Sequence, residues 1–218
     1  MPFFSDTFTD TDAVTLQAHT PTLGDSWTRL WGSAVGVDWA IVTNQATPDT
    51  DADDGSIYTA DATYPSADYD LTFTLVGLGA STRPLYIFLR IQDQENMYAV
   101  RLVTGVALCQ LYKKVSGTWT AIGSAFEDPA TGSVCKLEII GSTLKFYDDA
   151  VEAASVSDTD ISAAGKAGIG AGGGVELVTS TDDSHTVNII DDLSVNDLGA
   201  AGGDGRVFGV LQPMGIIF

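Results

Sequence analysis

The side chains able to do chemistry in this chain are few, and their spacing excludes most reaction classes. The histidines are His19 and His185, and the glutamates are Glu95, Glu127, Glu138, Glu152 and Glu176. A Ser/His/Asp or Cys/His triad therefore has few possible bases, and no serine sits in a Gly-x-Ser-x-Gly frame. His185, just before a terminal apolar strand, reads as a solvated loop residue. Cys109 and Cys135 stand apart, with no Cys-x-x-Cys and no nearby His pair, so a zinc site lacks ligands. They read as buried free thiols in adjacent strands, with a single disulfide as the alternative.

Two other chemistries remain. Calcium needs several oxygen ligands, and "DTDADDG" (49–55) places Asp49, Asp51 and Asp53 at alternating positions. The stretch departs from the EF-hand loop: Gly55 comes one position late, and Ala60 stands where the twelfth-position Glu belongs. A solvated acidic loop is the plainer reading. Sugar binding needs aromatic faces and polar groups that fix hydroxyls. Trp27, Trp31, Trp39, Trp119, Tyr58 and Tyr98 supply aromatics, most of which read as core, while Trp119, after a Ser-Gly-Thr turn, reads as exposed.

The elements that must position these residues are strands. Runs such as "YDLTFTLV" (69–76), "LYIFLRIQ" (85–92), "NMYAVRLV" (96–103), "ALCQLYKKV" (107–115), "VCKLEII" (134–140) and "TLKFYD" (143–148) are short and rich in β-branched and aromatic residues. Turn pairs separate them at 104–105, 116–117, 141–142 and 148–149. This predicts an all-β, antiparallel, two-sheet β-sandwich. "SDTDISAAGKAG" (157–168) reads as a loop. With "QDQEN" (92–96) as a turn, Ile91 pairs with Met97, and Arg90 faces Tyr98 on one surface of the sheet. A one-residue slip would exchange the roles of Arg90 and Arg101.

Composition narrows the partners. The 218 residues carry 29 acidic and 10 basic side chains, a net charge of −19, with aspartate far outnumbering glutamate. Such a surface repels nucleic acid and anionic membranes. The N-terminus shows no signal-peptide pattern, and no run approaches the length of a membrane span. The predicted organisation is a sandwich over 1–196, a Gly-rich linker over 197–206 and an apolar segment over 207–218. That last segment has no ionisable side chain, and Phe208, Leu211, Met214, Ile216, Ile217 and Phe218 suit docking on a partner.

"DTFTDTDAVTLQAHTPTLGDSWTRL", with Phe8, Leu16, His19, Pro21, Gly24 and Trp27, resembles the opening of concanavalin A-like lectin/glucanase domains, versions of which recur in bacteriophage structural proteins. "YIFLRIQDQENMYAVRL" is similar to that family's paired central strands, and "NIIDDLSV" to its closing strand. The resemblance spans roughly residues 4–196 and implies a jelly roll with a concave face, on which Arg90 and Tyr98 would form a polar-aromatic cluster. A satisfied structural arginine is the plainer reading of Arg90. His19 takes a structural role by the same resemblance, and the family-like positions of Trp27 and Trp39 make them core residues. The family's glucanases place catalytic acids as Glu-x-Asp-x-Glu on one strand, a pattern this chain lacks, so no enzyme is expected. They also hold structural calcium through a closing-strand Asp together with backbone oxygens near the N-terminal strand, which makes Asp192, or equally Asp191, a ligand candidate.

The function expected from this reading is non-enzymatic: a virion surface protein, in particular a bacteriophage capsid decoration protein. Its partners would be a major capsid protein or other virion proteins and further copies of itself, after assembly in the host cytoplasm. The alternative is a glycan-binding, lectin-like adhesin module of a phage tail or secreted protein, touching host or environmental polysaccharide.

Overall fold

Strands, some alternating in burial and others covered on both faces, build the structure, a computed structural model that describes residues 1–31, 39–48, 56–79, 84–105, 108–171 and 188–199. None of these residues is helical. In chain order the strands are β1 (Pro2–Asp6), β2 (Ser26–Trp31), β3 (Trp39–Val42), β4 (Gln45–Pro48), β5 (Ser56–Asp61), β6 (Tyr69–Gly77), β7 (Leu85–Ile91) and β8 (Met97–Leu102). They continue as β9 (Cys109–Val115), β10 (Thr118–Phe126), β11 (Val134–Ile140), β12 (Thr143–Asp148), β13 (Val151–Ser157), β14 (Lys166–Ala171) and β15 (Ile189–Asp197).

They form two antiparallel sheets. One runs β13-β12-β11-β6-β15-β4-β3, with β1 also paired to β15. The other runs β10-β9-β8-β7-β14-β5-β2. Leu71, Phe73 and Leu75 of β6, Leu137 and Ile139 of β11, and Leu85, Ile87 and Leu89 of β7 alternate into the space between the sheets. Trp27 and Trp39 join this core, as their positions predict. Cys109 and Cys135 are buried free thiols, in different sheets rather than in adjacent strands. Burial pushes the Cys109 thiol up to about 11.

The β7–β8 hairpin departs from the expected register by one residue. Leu89, not Arg90, stands opposite Tyr98, and Tyr86 stands opposite Arg101. The cause is a bulge in β7: Arg90 has φ 49, and the pairing with β14 shifts between Lys166 and Gly168. Tyr98 consequently faces the inter-sheet core, and Arg90 is turned to the end of the sandwich.

At that end, residues 158–165 connect β13 of one sheet to β14 of the other. Side chains hold the crossing in place. Tyr98 donates to Asp158 at 2.7 Å and accepts from the Ile161 N–H. Lys113 reaches both Asp158 and Asp160, and Gln92 donates to the Ala163 and Ala164 carbonyls.

The N-terminal segment is pinned separately. His19, buried, sits between the Asp6 and Asp10 carboxylates at 2.9 Å each. Asp6 also accepts the Trp27 indole N–H at 2.7 Å. This is the structural role that the opening motif implies for His19.

Candidate functional site

The face of the seven-stranded sheet turned away from the core has its own chemistry. The register sets its residues in rows across the strands. One row runs Tyr112, Ala99, Phe88, Gly168, Thr59 and Thr28 from β9 to β2. The next runs Gln110, Arg101, Tyr86, Gly170, Ile57 and Trp31. Ile57, Tyr86, Phe88, Ile91, Met97 and Ala99 form a second apolar cluster, with Leu30, Trp31, Tyr112 and Trp119 packed against it.

β14 presents glycines to this face because its neighbours occupy the space. A Cβ on Gly170 would lie 2.9 Å from the Phe88 ring, and one on Gly168 would lie 2.9 Å from Ile91 and 2.4 Å from the Tyr58 carbonyl oxygen. Beside this glycine floor lies a cleft of about 390 Å³, lined by Thr28, Arg29, Leu30, Thr59, Ile91, Gln92, Ala164, Gly165 and Lys166. One wall is the β7–β8 turn, whose Gln94 donates to the Leu30 carbonyl at 2.8 Å.

Asp61, at the end of β5, organises the polar wall. It accepts from Lys166 at 2.6 Å, and from the hydroxyls of Thr28, Thr59 and Ser26. Burial opposes its ionisation, but these donors outweigh burial and hold its carboxyl below the usual range. The cleft thus offers hydroxyl and amide groups and a lysine ammonium over an apolar floor of Leu30 and Ile91. That combination suits a small polyhydroxylated ring. A glycosidase needs two carboxylates across the bond, one with a raised pKa. The cleft lining contains no carboxylate, and Asp61 behind it is shifted the other way.

The candidates read from sequence are dispersed. Arg90 is 1% exposed, and its guanidinium donates to the carbonyls of Ala67, Ile161 and Gly141 and pairs with Asp68. It borders a recess of about 200 Å³ but ties the sandwich end together. Tyr98 is in the core, so the two do not form a surface cluster. Trp119 does lie on the outer face, half-buried, with Lys114 over its ring at 5.7 Å. It belongs to β10, at the opposite edge from the cleft.

Asp191 and Asp192 occupy a bulge in β15, where Asp192 has φ 48 and donates its N–H to the Asp191 carboxylate. Burial raises the Asp191 pKa. Among the described residues no group of three or more His, Cys, Asp or Glu gathers to hold a metal; a calcium at Asp191 and Asp192 would draw its further ligands from backbone oxygens and water. Asp49, Asp51 and Asp53 lie outside the described residues, as do His185 and the docking candidates Phe208, Leu211, Met214, Ile216, Ile217 and Phe218.

No protein-family model and no curated protein sequence matches the chain. Solved structures do share its fold. The carbohydrate binding module CBM66 from Bacillus subtilis is 17% identical with a TM-score of 0.57, covering 78% of this chain and 95% of its own. The Emp46p carbohydrate recognition domain, in potassium-bound form, is 14% identical with a TM-score of 0.55, over 85% and 96%. The Crh5 transglycosylase is 10% identical with a TM-score of 0.57, over 91% and 88%. At these identities the likeness is one of fold: the chain is an all-β jelly-roll sandwich of the kind seen in these carbohydrate-binding and carbohydrate-processing domains.

Proposed function

We propose that this protein is a non-enzymatic carbohydrate-binding module that holds a glycan on the outer face of its seven-stranded sheet. The observation that carries this reading is the cleft beside β14, where Thr28, Thr59 and Lys166 stand in a fixed array around Asp61 over an apolar floor. Preformed polar groups of this kind recognise hydroxyls without an ordering cost at binding. The carbohydrate-binding relatives in fold support it, and the absence of any carboxylate from the lining favours binding over hydrolysis. The alternative sequence reading, a lectin-like module, thereby becomes the leading one.

The test is a glycan array with the purified chain, followed by calorimetry on the hits. Thr28 is exposed, so Thr28→Val is expected to leave the fold intact and weaken binding about ten-fold, the scale of one lost hydrogen bond to the ligand. If no glycan binds, or if Thr28→Val binds as tightly as the parent, the assignment to this cleft is wrong.

A second reading, a capsid decoration protein on a virion surface, rests on the sequence: the net charge of −19 and the uncharged apolar segment 207–218. It is compatible with the first, since a surface protein can also touch polysaccharide. Copurification with particles, in a copy number matching a capsid lattice, is the measurement that bears on it.

A further inference from the structure

The charged side chains that line the cleft are basic, in a chain that is strongly acidic. The protein carries 29 acidic and 10 basic side chains, yet the lining holds Arg29 and Lys166 and no acidic residue. Asp61 stands behind the lining, and protein donors from Ser26, Thr28, Thr59 and Lys166 already converge on its two oxygens. Those donors fill the in-plane lone-pair positions, so Asp61 is poorly placed to accept from a ligand hydroxyl. Lys166 is different. Its ammonium has three N–H donors, one of which reaches Asp61, and its side chain is 46% exposed. Thr28, which is exposed, spends its proton on Asp61 and keeps its oxygen as an acceptor for a ring hydroxyl, whereas Thr59 is buried with its hydroxyl between Asp61 and the Thr28 carbonyl. The arrangement leaves one strong, charged donor beside a neutral acceptor.

The nearest acidic groups on the cleft's turn wall are also withdrawn. Asp93 accepts from the Glu95 N–H and from Asn96 within its own turn, which holds its carboxyl low and folded onto the hairpin tip. By contrast, the outer face of the eight-stranded sheet pairs Lys136 with Glu138 and Lys145 with Glu152, and adds Asp70.

From this charge complementarity we infer that the cleft selects an acidic sugar, whose carboxylate sits on Lys166 while its ring hydroxyls meet Thr28 and Gln92. The inference rests on the glycan-binding reading and narrows it to uronic-acid glycans. A ligand short enough to stay within the cleft avoids the negative surface around it. At about 0.15 M salt the screening length is about 8 Å, so distant carboxylates contribute little repulsion.

The experiment compares short oligogalacturonides with the same oligomers fully methyl-esterified, which keeps the rings and removes the charge. Calorimetry at about 0.15 M salt is expected to show binding of the acid and at least about ten-fold weaker binding of the ester, the scale of one charge-assisted hydrogen bond. Lys166→Gln is expected to remove that preference, and Lys145→Gln, a half-buried lysine on the other sheet, to leave it intact. Thermal melts of both variants verify that they fold. Equal binding of acid and ester, or a preference that survives Lys166→Gln, overturns the acidic-sugar assignment while leaving a glycan cleft in place. Failure of both oligomers, alongside neutral hits on the glycan array, overturns it in the same way. Failure of every glycan overturns both readings.

Discussion

His19 has carboxylates at both ring nitrogens, and that decides its charge. A neutral imidazole has one N–H and one lone pair, so it would set that lone pair against either Asp6 or Asp10. Burial pulls its pKa down, but the hydrogen bonds it donates to Asp10 and Asp6 outweigh burial and raise it above 6.5. A raised folded pKa gives stability that is complete below the unfolded value and is lost as pH rises through the folded one. Asp10 is lowered by the same contact, so its contribution is lost on acidification. His19→Gln is therefore expected to lower the melting temperature most at about pH 5.5, on the scale of a broken buried ion pair, about 3 kcal/mol. The difference from the parent should shrink by about pH 9. A pH-independent difference would show that His19 acts by packing alone. Arg90 offers a second test at this scale. Lysine keeps its charge but cannot reach three carbonyls at once. Arg90→Lys is expected to cost about 2–4 kcal/mol of stability, measured by urea unfolding, with glycan affinity unchanged in the folded fraction.

Strands were legible in the sequence where their outward and inward residues differ in kind. β6, β7, β8, β9, β11 and β12 alternate or carry β-branched and aromatic runs, and their existence follows from pattern. β14 was not legible. "KAGIGA" looks like a loop because its outward positions are glycines, kept bare by the side chains of Phe88 and Ile91. The hairpin register was missed for a related reason: the bulge at Arg90 puts an arginine at positive φ, which no composition signal announces. The cleft was missed too, since Thr28, Asp61 and Lys166 come from three strands, and Lys166 is 105 residues from Asp61. No local spacing can encode that meeting. The glycine floor gives the element-scale prediction. Gly168→Ala would press a Cβ against the Tyr58 backbone oxygen, which cannot move without breaking the β14–β5 ladder. Overpacking of this kind costs about 1–3 kcal/mol or more. The variant should melt several degrees below the parent, and an unchanged melting temperature would show that the sheet yields there.

At the scale of the whole molecule, the question is what the apolar segment 207–218 contributes to a chain with a net charge of −19. The last strand among the described residues stops short of it. β15 ends at Asp197, the Leu198 N–H donates to the Asp68 carbonyl at 2.9 Å, and the Gly199 N–H donates to the Asp197 carboxylate. Eight large side chains from Val207 to Phe218 would gain about 1.5–3 kcal/mol each on full burial, a gross term above ~10 kcal/mol. Ordering the segment and losing translational freedom offset much of this. If the segment docks on a partner, deleting residues 206–218 leaves the sandwich itself intact. Circular dichroism and the melting temperature should then stay within about 2 °C of the full chain, less than the shift 1 kcal/mol produces in a domain this size. Self-association in sedimentation, or attachment to particles, should fall at the same time. A melting temperature several degrees lower, with association unchanged, would mean that the segment packs against its own sandwich, and the docking role would have to be given up.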